Sequence, residues 1–220
     1  IDVDLVVVGV GAVASVDLAK AAGLKIGPTG GIDVDRTMKT SADGVFACGD
    51  CAEKISFFGG KPSRLKLASI AATEARIAGA NLFGIKRENP GTVGVWSTAV
   101  GDHALATAGL TAAMAEDLGY DTVAVSIEGV NRHPGGMPGA TNTKVKLVFE
   151  RNSGVVLGGQ VMGDATAGEI INAISACVQS RMTAEQMAMF QIGTHPALTA
   201  SPIAYHVLNA AELALAKMRA

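Results

Sequence analysis

Residues 40–53, Thr-Ser-Ala-Asp-Gly-Val-Phe-Ala-Cys-Gly-Asp-Cys-Ala-Glu, constrain the fold of this chain more than any other stretch. A polar turn, Thr40–Gly44, runs into a short apolar strand of Val45, Phe46 and Ala47, which ends in Gly49-Asp50. Residues 65–83 then show helical periodicity, are rich in alanine, and stop at Gly84, a carboxyl cap. Strand, glycine, aspartate and helix, in that order, is how α/β folds hold the sugar part of a nucleotide cofactor. In that reading Gly49 lets the backbone come close to the ligand, and the Asp50 carboxylate accepts a hydrogen bond from a ligand hydroxyl.

The residues before this tract fit an α/β frame. Leu5–Val8 is a continuous apolar run, as expected of a buried parallel strand. Residues 13–23 read as a short helix closed by Gly23, residues 27–31 as a turn, and residues 32–35 as a short extended piece. A core strand with no lead-in after Ile1 carries the expectation that the chain is a fragment, with its missing part before Ile1. The 220 residues are 49% hydrophobic, enough for one large or two modest domains. Mean hydropathy is +0.33. The longest apolar run, residues 5–14, is far below the roughly 20 residues needed to cross a bilayer, so the apolarity implies heavy burial. A net charge of −2 argues against a nucleic-acid partner. Three cysteines, an odd number, argue against a secreted disulfide framework, and no targeting segment is visible, so a cytoplasmic setting is expected.

Residues 87–91, with Pro90, read as a linker, and the rhythm changes beyond it. Strands are expected over 93–99, 103–110 and 122–130, with a helix capped by Thr111 between the last two. Residues 131–142, with two prolines and three glycines, read as a loop. Residues 144–149 and 155–161 read as a hairpin. Amphipathic helices are expected over 165–182, over 183–190 with a Thr183-x-x-Gln186 capping box, and over 203–217. An antiparallel sheet with helices on one face is an α+β layer.

Several motifs have two readings. Gly9-Val10-Gly11-Ala12-Val13-Ala14 matches a dinucleotide fingerprint by pattern. The helix after it is short, however, and no clear second strand carries an acidic residue about 20 positions on. A structural turn is the favoured reading, with a small stand-alone NAD-binding domain using residues 9–14 as the alternative. Cys48 and Cys51 form C-x-x-C, the spacing of thiol redox centres; they are read as small buried filler, as is Cys177 in the core. His103, His133 and His206 show no metal-ligand spacing, so no metal is expected.

Gly30-Gly31-Ile32, Val34-Asp35, Thr40-Ser41, Val45-Phe46-Ala47 and Gly49-Asp50 resemble, in order and spacing, the second flavin-binding motif of the FAD-dependent pyridine nucleotide–disulfide oxidoreductases and the segment leading to it. The helix with Leu67-Ala68, Ala72 and residues 79–84 is similar to the segment that follows in that family. Gly109-Leu110-Thr111, Gly158-Gly159-Gln160 and His195-Pro196 recur in its interface domain. The similarity covers roughly residues 5–210 and looks closest to the NADH oxidase and coenzyme A-disulfide reductase branch.

The resemblance implies an exit strand and turn of the NAD(P)H-binding domain over 1–30, the returning part of a Rossmann-like FAD-binding domain over 31–90, and an α+β interface domain over 91–220 that forms a homodimer. It implies FAD as cofactor and NAD(P)H as co-substrate, with electrons passed to a disulfide, a thiol-derived group or oxygen. It places Gly49 and Asp50 at the ribityl chain and the backbone of Leu67 and Ala68 at the flavin pyrimidine edge, where the helix dipole favours negative charge. It puts the catalytic redox cysteine outside this sequence, so that no catalytic residue is expected here and the chain alone is expected to be inactive. His195 is a candidate near the flavin of the partner subunit, but Ala200 stands where the family's reductases carry the glutamate that orients such a base. Gly136 and Met137, and the later loop 198–202, lack the tyrosines of coenzyme A-disulfide reductases. A non-catalytic dimerisation module over 92–213 is the alternative from another class.

Overall fold

A computed structural model describes residues 1–219 and divides the chain into two compact units, one over 1–92 and one from Val93 onward.

In the first unit, regular structure is sparse. It contains α1 (Asp17–Ala21), a 3-10 turn (Gly49–Cys51), the two-residue strands β1 (Lys54–Ile55) and β2 (Pro62–Ser63), and α2 (Ala68–Asn81). Two small apolar clusters hold it. Val16, Ala19, Ile32, Ala47 and Ala52 form one; Met38, Ile77 and Ala78 form the other. Ile32 ties the first together by pairing its backbone with Ile26 on one side and with Ala52 on the other. Helix α2 buries Ile70, Glu74, Ile77, Ala78 and Asn81, a stripe at helical spacing. Asn81 anchors its end: the side-chain amide donates to the Thr37 and Arg87 carbonyls, and its oxygen accepts from the amides of Lys86 and Arg87.

Three expectations for this unit change. The run Leu5–Val8 is not a strand; its side chains lie exposed, Val7 at 85%. A strand exists only where a neighbour accepts its backbone hydrogen bonds, and the described residues offer this run none. The helix expected over 13–23 shrinks to the five residues of α1. The strand expected over 45–47 makes a single bridge, Phe46 to Lys39.

The second unit matches its expected α+β layer. Five strands, β3 (Val95–Val100), β4 (His103–Gly109), β5 (Thr122–Val130), β6 (Asn142–Glu150) and β7 (Val156–Gly163), form one antiparallel sheet in the order β3-β4-β7-β6-β5. α3 (Ala112–Asp117) follows Thr111, whose hydroxyl accepts from the Met114 amide at 3.3 Å. α4 (Ala167–Gln179) packs on β4 and β7, and α6 (His206–Arg219) on β5 and β6, so that both cover the sheet. α5 (Ala184–Ala188) carries the expected capping box, with both Thr183–Gln186 hydrogen bonds made. Gly159 of β7 has a packing cause: a Cβ there would lie 2.9 Å from both Ile174 of α4 and Leu147 of β6. Val145, Leu147, Val148, Phe149 and Ile174 are completely buried.

Candidate cofactor-binding site

The turn at residues 40–44 forms as the sequence suggests. Thr40 closes it, its amide donating to the Val45 carbonyl at 2.9 Å and its hydroxyl to the same oxygen at 3.0 Å, and Gly44 takes a φ of +73°. The chain then reaches Gly49, buried, at a φ of +78°. A Cβ at Gly49 would meet only Ala71 at an ordinary 3.6 Å. Within the chain, glycine is therefore required by its left-handed backbone rather than by lack of space.

Two buried charged side chains grip this glycine. Its amide donates to Glu74 Oε2 of α2 at 2.8 Å, and its carbonyl accepts from Lys54 Nζ of β1. Lys54 also donates to the Ala52 carbonyl at 2.9 Å and pairs with Glu74 at 3.0 Å. The two side chains are only 3% and 1% exposed. Burial raises the carboxyl pKa of Glu74 despite the opposing Lys54 contacts, and Glu74 Oε1 has no hydrogen-bond partner. Burial, followed by the charge of Glu74, also raises the Cys48 thiol, the reverse of what a reactive thiolate needs.

A second buried carboxylate holds the approach. Glu53 accepts from the amides of Thr29 and Gly31, each at 3.1 Å. A Cβ on Gly31 would lie 2.6 Å from the Glu53 nitrogen, so the 27–31 turn reaches the tract only as glycine.

With its neighbours held, Asp50 is exposed and makes no hydrogen bond. The 3-10 turn that carries it packs on α2. Leu67, half-buried and extended, is the N-cap of α2 and offers no side-chain cap; Ala68 and Ser69 beyond it are exposed. The first amides of the helix are therefore free to donate to a ligand, and the helix dipole adds positive potential there. The structure brings Gly49–Asp50 and the helix carrying Leu67 and Ala68 together. The exposed carboxylate, on a turn packed against α2, and the uncapped amides at the start of that helix suit a neutral sugar or polyol joined to a group with acceptor atoms, as in a flavin dinucleotide.

His195 belongs to the second unit and is exposed. Its Nδ1 accepts from the Ala197 amide at 3.2 Å, which leaves the proton of the neutral ring on Nε2. Among the described residues no carboxylate orients it; its own amide donates to the Thr199 hydroxyl, and the loop is tied by Arg132 to the Ala197 carbonyl at 2.6 Å. The Gly9–Ala14 pattern lies in an exposed segment with neither a strand before it nor a helix opening at it, so the frame of a dinucleotide fingerprint is not formed. Among the described residues no group of three His, Cys, Asp or Glu side chains is placed to hold a metal ion, and no helix is long and apolar enough to cross a membrane.

Sequence reasoning missed Glu53, Lys54 and Glu74. Glu74 had a visible signal, a carboxylate on the apolar stripe of a helix. Lys54 had none, because only the fold shows that it is buried.

Two family descriptions match the chain: pyridine nucleotide-disulphide oxidoreductase over residues 1–75, and the dimerisation domain of the same family over residues 95–203. The chain belongs to the pyridine nucleotide-disulphide oxidoreductase family. Among relatives in this family, an NADH oxidase of Methanocaldococcus jannaschii is 30% identical over 187 residues, covering 85% of this chain and 41% of the relative. A CoA-dependent NAD(P)H sulfur oxidoreductase of Pyrococcus furiosus is 35% identical over 160 residues, 73% of this chain and 36% of the relative. The solved structure of an NAD-dependent persulfide reductase from A. fulgidus superposes with a TM-score of 0.87 at 32% identity, over 95% of this chain and 38% of that one. The chain thus spans about two fifths of the length of the curated relatives it matches.

Proposed function

We propose that this chain supplies part of the FAD site and the subunit contact of an oxidoreductase that passes electrons from NAD(P)H through FAD to a disulfide, a thiol-derived group or oxygen. The names of the relatives, NADH oxidase and NAD(P)H sulfur oxidoreductase, support this class of reaction. The observation that carries the site is the buried Lys54–Glu74 grip on Gly49, which leaves the Asp50 carboxylate unbonded beside the uncapped start of α2. When bound, FAD supplies the two-electron chemistry. The chain's part is to bind and orient. Asp50 accepts from a ribityl hydroxyl, Gly49 supplies the turn that presents Asp50, and the backbone at Leu67 and Ala68 donates to the flavin edge, where the helix dipole favours negative charge. His195 is read as a residue facing the flavin of the partner subunit, without the orienting carboxylate a strong base requires.

FAD titration of the chain, followed by quenching of flavin fluorescence, tests the site. Asp50→Ala removes a charge-assisted hydrogen bond worth about 1.5–3 kcal/mol, so affinity should fall by about tenfold or more. The melting temperature should not move, because Asp50 is exposed and unbonded. Equal FAD affinity in the variant would refute the assignment.

A homodimer through residues 91–220 is part of the same reading. It is favoured by a side of the sheet that carries exposed Trp96, Leu105 and Met162, with Leu105 directly opposite Met162 in register. Trp96→Asp should shift the sedimentation coefficient to that of a monomer. The free Cys48, Cys51 and Cys177 support a reducing, cytoplasmic setting, and neither nucleic acid nor membrane enters the reading.

A further inference from the structure

The backbone on both sides of Asp50 is held by two side chains from beyond the turn that carries it. Lys54 Nζ donates to the carbonyls of Gly49 and Ala52, which flank that turn, and Glu74 Oε2 accepts from the Gly49 amide at 2.8 Å. The Ala52 amide closes the same turn on the Gly49 carbonyl at 3.0 Å. Glu74 belongs to α2, the helix whose uncapped start carries Leu67 and Ala68. The two halves of the candidate site are thus joined through a buried ion pair.

This pair is a poor source of stability. Both side chains are almost inaccessible to water, and Glu74 Oε1 has no hydrogen-bond partner. Taking two charges out of water costs about as much as their attraction returns, and a buried oxygen without a donor adds to that cost. Apolar side chains of similar volume at 54 and 74 would hold the unit as well, but they give no direction to a backbone amide or carbonyl. What the ion pair supplies, and a methionine pair does not, is the position of Gly49 and with it the direction of Asp50.

We infer that Lys54 and Glu74 are positioning residues of the cofactor site: they hold the Asp50 carboxylate where one ligand can meet it and the first amides of α2 at once. The inference rests on the flavin reading above and adds the residues that set its geometry. Two contacts to one ligand reinforce each other when both are in place before it arrives, whereas a turn that must be ordered on binding gives back part of the affinity. A ligand that meets only the helix start gains nothing from the pair.

Riboflavin, with ring and ribityl chain, and lumiflavin, the same ring with a methyl group in place of that chain, are titrated into the full chain and followed by fluorescence quenching. Lys54→Met with Glu74→Met should keep the denaturant midpoint near that of the wild type and weaken riboflavin about tenfold, the effect of the Asp50 hydrogen bond, while lumiflavin stays within about twofold. In that background Asp50→Ala should weaken riboflavin by less than about twofold more, because the two changes remove the same contact. Glu74→Gln is the opposite case. It keeps an acceptor for the Gly49 amide but takes the counter-charge from Lys54, so the unit should lose stability while riboflavin affinity stays within about threefold of wild type. Affinity that follows stability across these variants, or an equal loss of both flavins in the double-methionine chain, is the mark of a merely structural pair and overturns the inference. Failure of the flavin reading has a different signature. If Asp50→Ala alone leaves riboflavin binding unchanged, both readings fall; if it weakens riboflavin and the methionine pair does not, only the present inference falls.

Discussion

The two units of this chain are held by different forces. The unit from Val93 onward closes a five-stranded sheet under two helices and buries a continuous set of large apolar side chains, among them Phe149, Leu147, Ile171 and Ile174. The unit over 1–92 has two small clusters built largely from alanine, valine and isoleucine, and its fixed points are polar: Lys54 with Glu74, Glu53 on the 27–31 turn, and Asn81 at the end of α2. Apolar burial is non-directional and gives stability in proportion to area. A charged hydrogen bond is directional and sets a backbone group within a few tenths of an ångström. The candidate cofactor site lies in the polar unit because presenting one carboxylate beside one helix end is a problem of direction.

Substitutions can break this contrast, beginning with the largest effects. Phe149→Ala should destabilise the second unit by about 3–5 kcal/mol, seen as a lowered denaturant midpoint. If the loss were below 1 kcal/mol, the apolar core would not be what holds that unit. Glu74→Ala leaves Lys54 buried without its partner and should cost the first unit about 3–5 kcal/mol, with the Gly49 amide losing protection from hydrogen exchange. Replacing both, Lys54→Met with Glu74→Met, should restore most of that stability while leaving the Gly49 amide unprotected, which separates position from stability. Thr183→Ala removes half of a capping box and should cost about 1 kcal/mol in the second unit alone.

The smallest effect is a difference in the sign of pH dependence. Burial raises the Glu74 pKa above its ordinary 4.5. The protonated form is thus favoured on folding, and the stability this group contributes falls as pH rises from below 4.5 through the higher folded value. Asp164 in the second unit goes the other way. Burial would raise it, but hydrogen bonds from Thr166 and the charge of Arg132 hold it below its ordinary 3.8. Its stabilisation is present above 3.8 and is lost as pH falls through the folded value. Denaturation between pH 3 and 6 should show the first trend vanish in Glu74→Gln and the second in Asp164→Asn.

The same contrast explains what could be read without coordinates. In the second unit, alternation and turn residues placed β5 over 122–130, where it stands, and the Thr183–Gln186 box was legible because capping is local. In the first unit, Leu5–Val8 has the composition of a core strand and pairs with nothing described, since composition records a tendency to pair and cannot supply a neighbour. Asp50 could be proposed as a cofactor contact without coordinates because the argument for it lies in adjacent residues. The grip on Gly49 was not, because Lys54 and Glu74 are separated along the chain by the β1–β2 turn and the first turns of α2.

By itself, the sequence determined the features that act over a few residues: the left-handed glycines at 44 and 49, the caps at Thr111 and Thr183, the helical stripe of α2, and the acidic residue after Gly49. Tertiary structure alone decided which charges are buried and whom they meet. Glu74 faces the Gly49 amide, Lys54 turns inward to complete the pair, and Thr143 is enclosed with its hydroxyl unpaired. Local conformation depends on the sterics of neighbouring residues. The cost of a buried charge or hydroxyl depends on its distance from water and from a partner, and those distances exist only once the chain has folded.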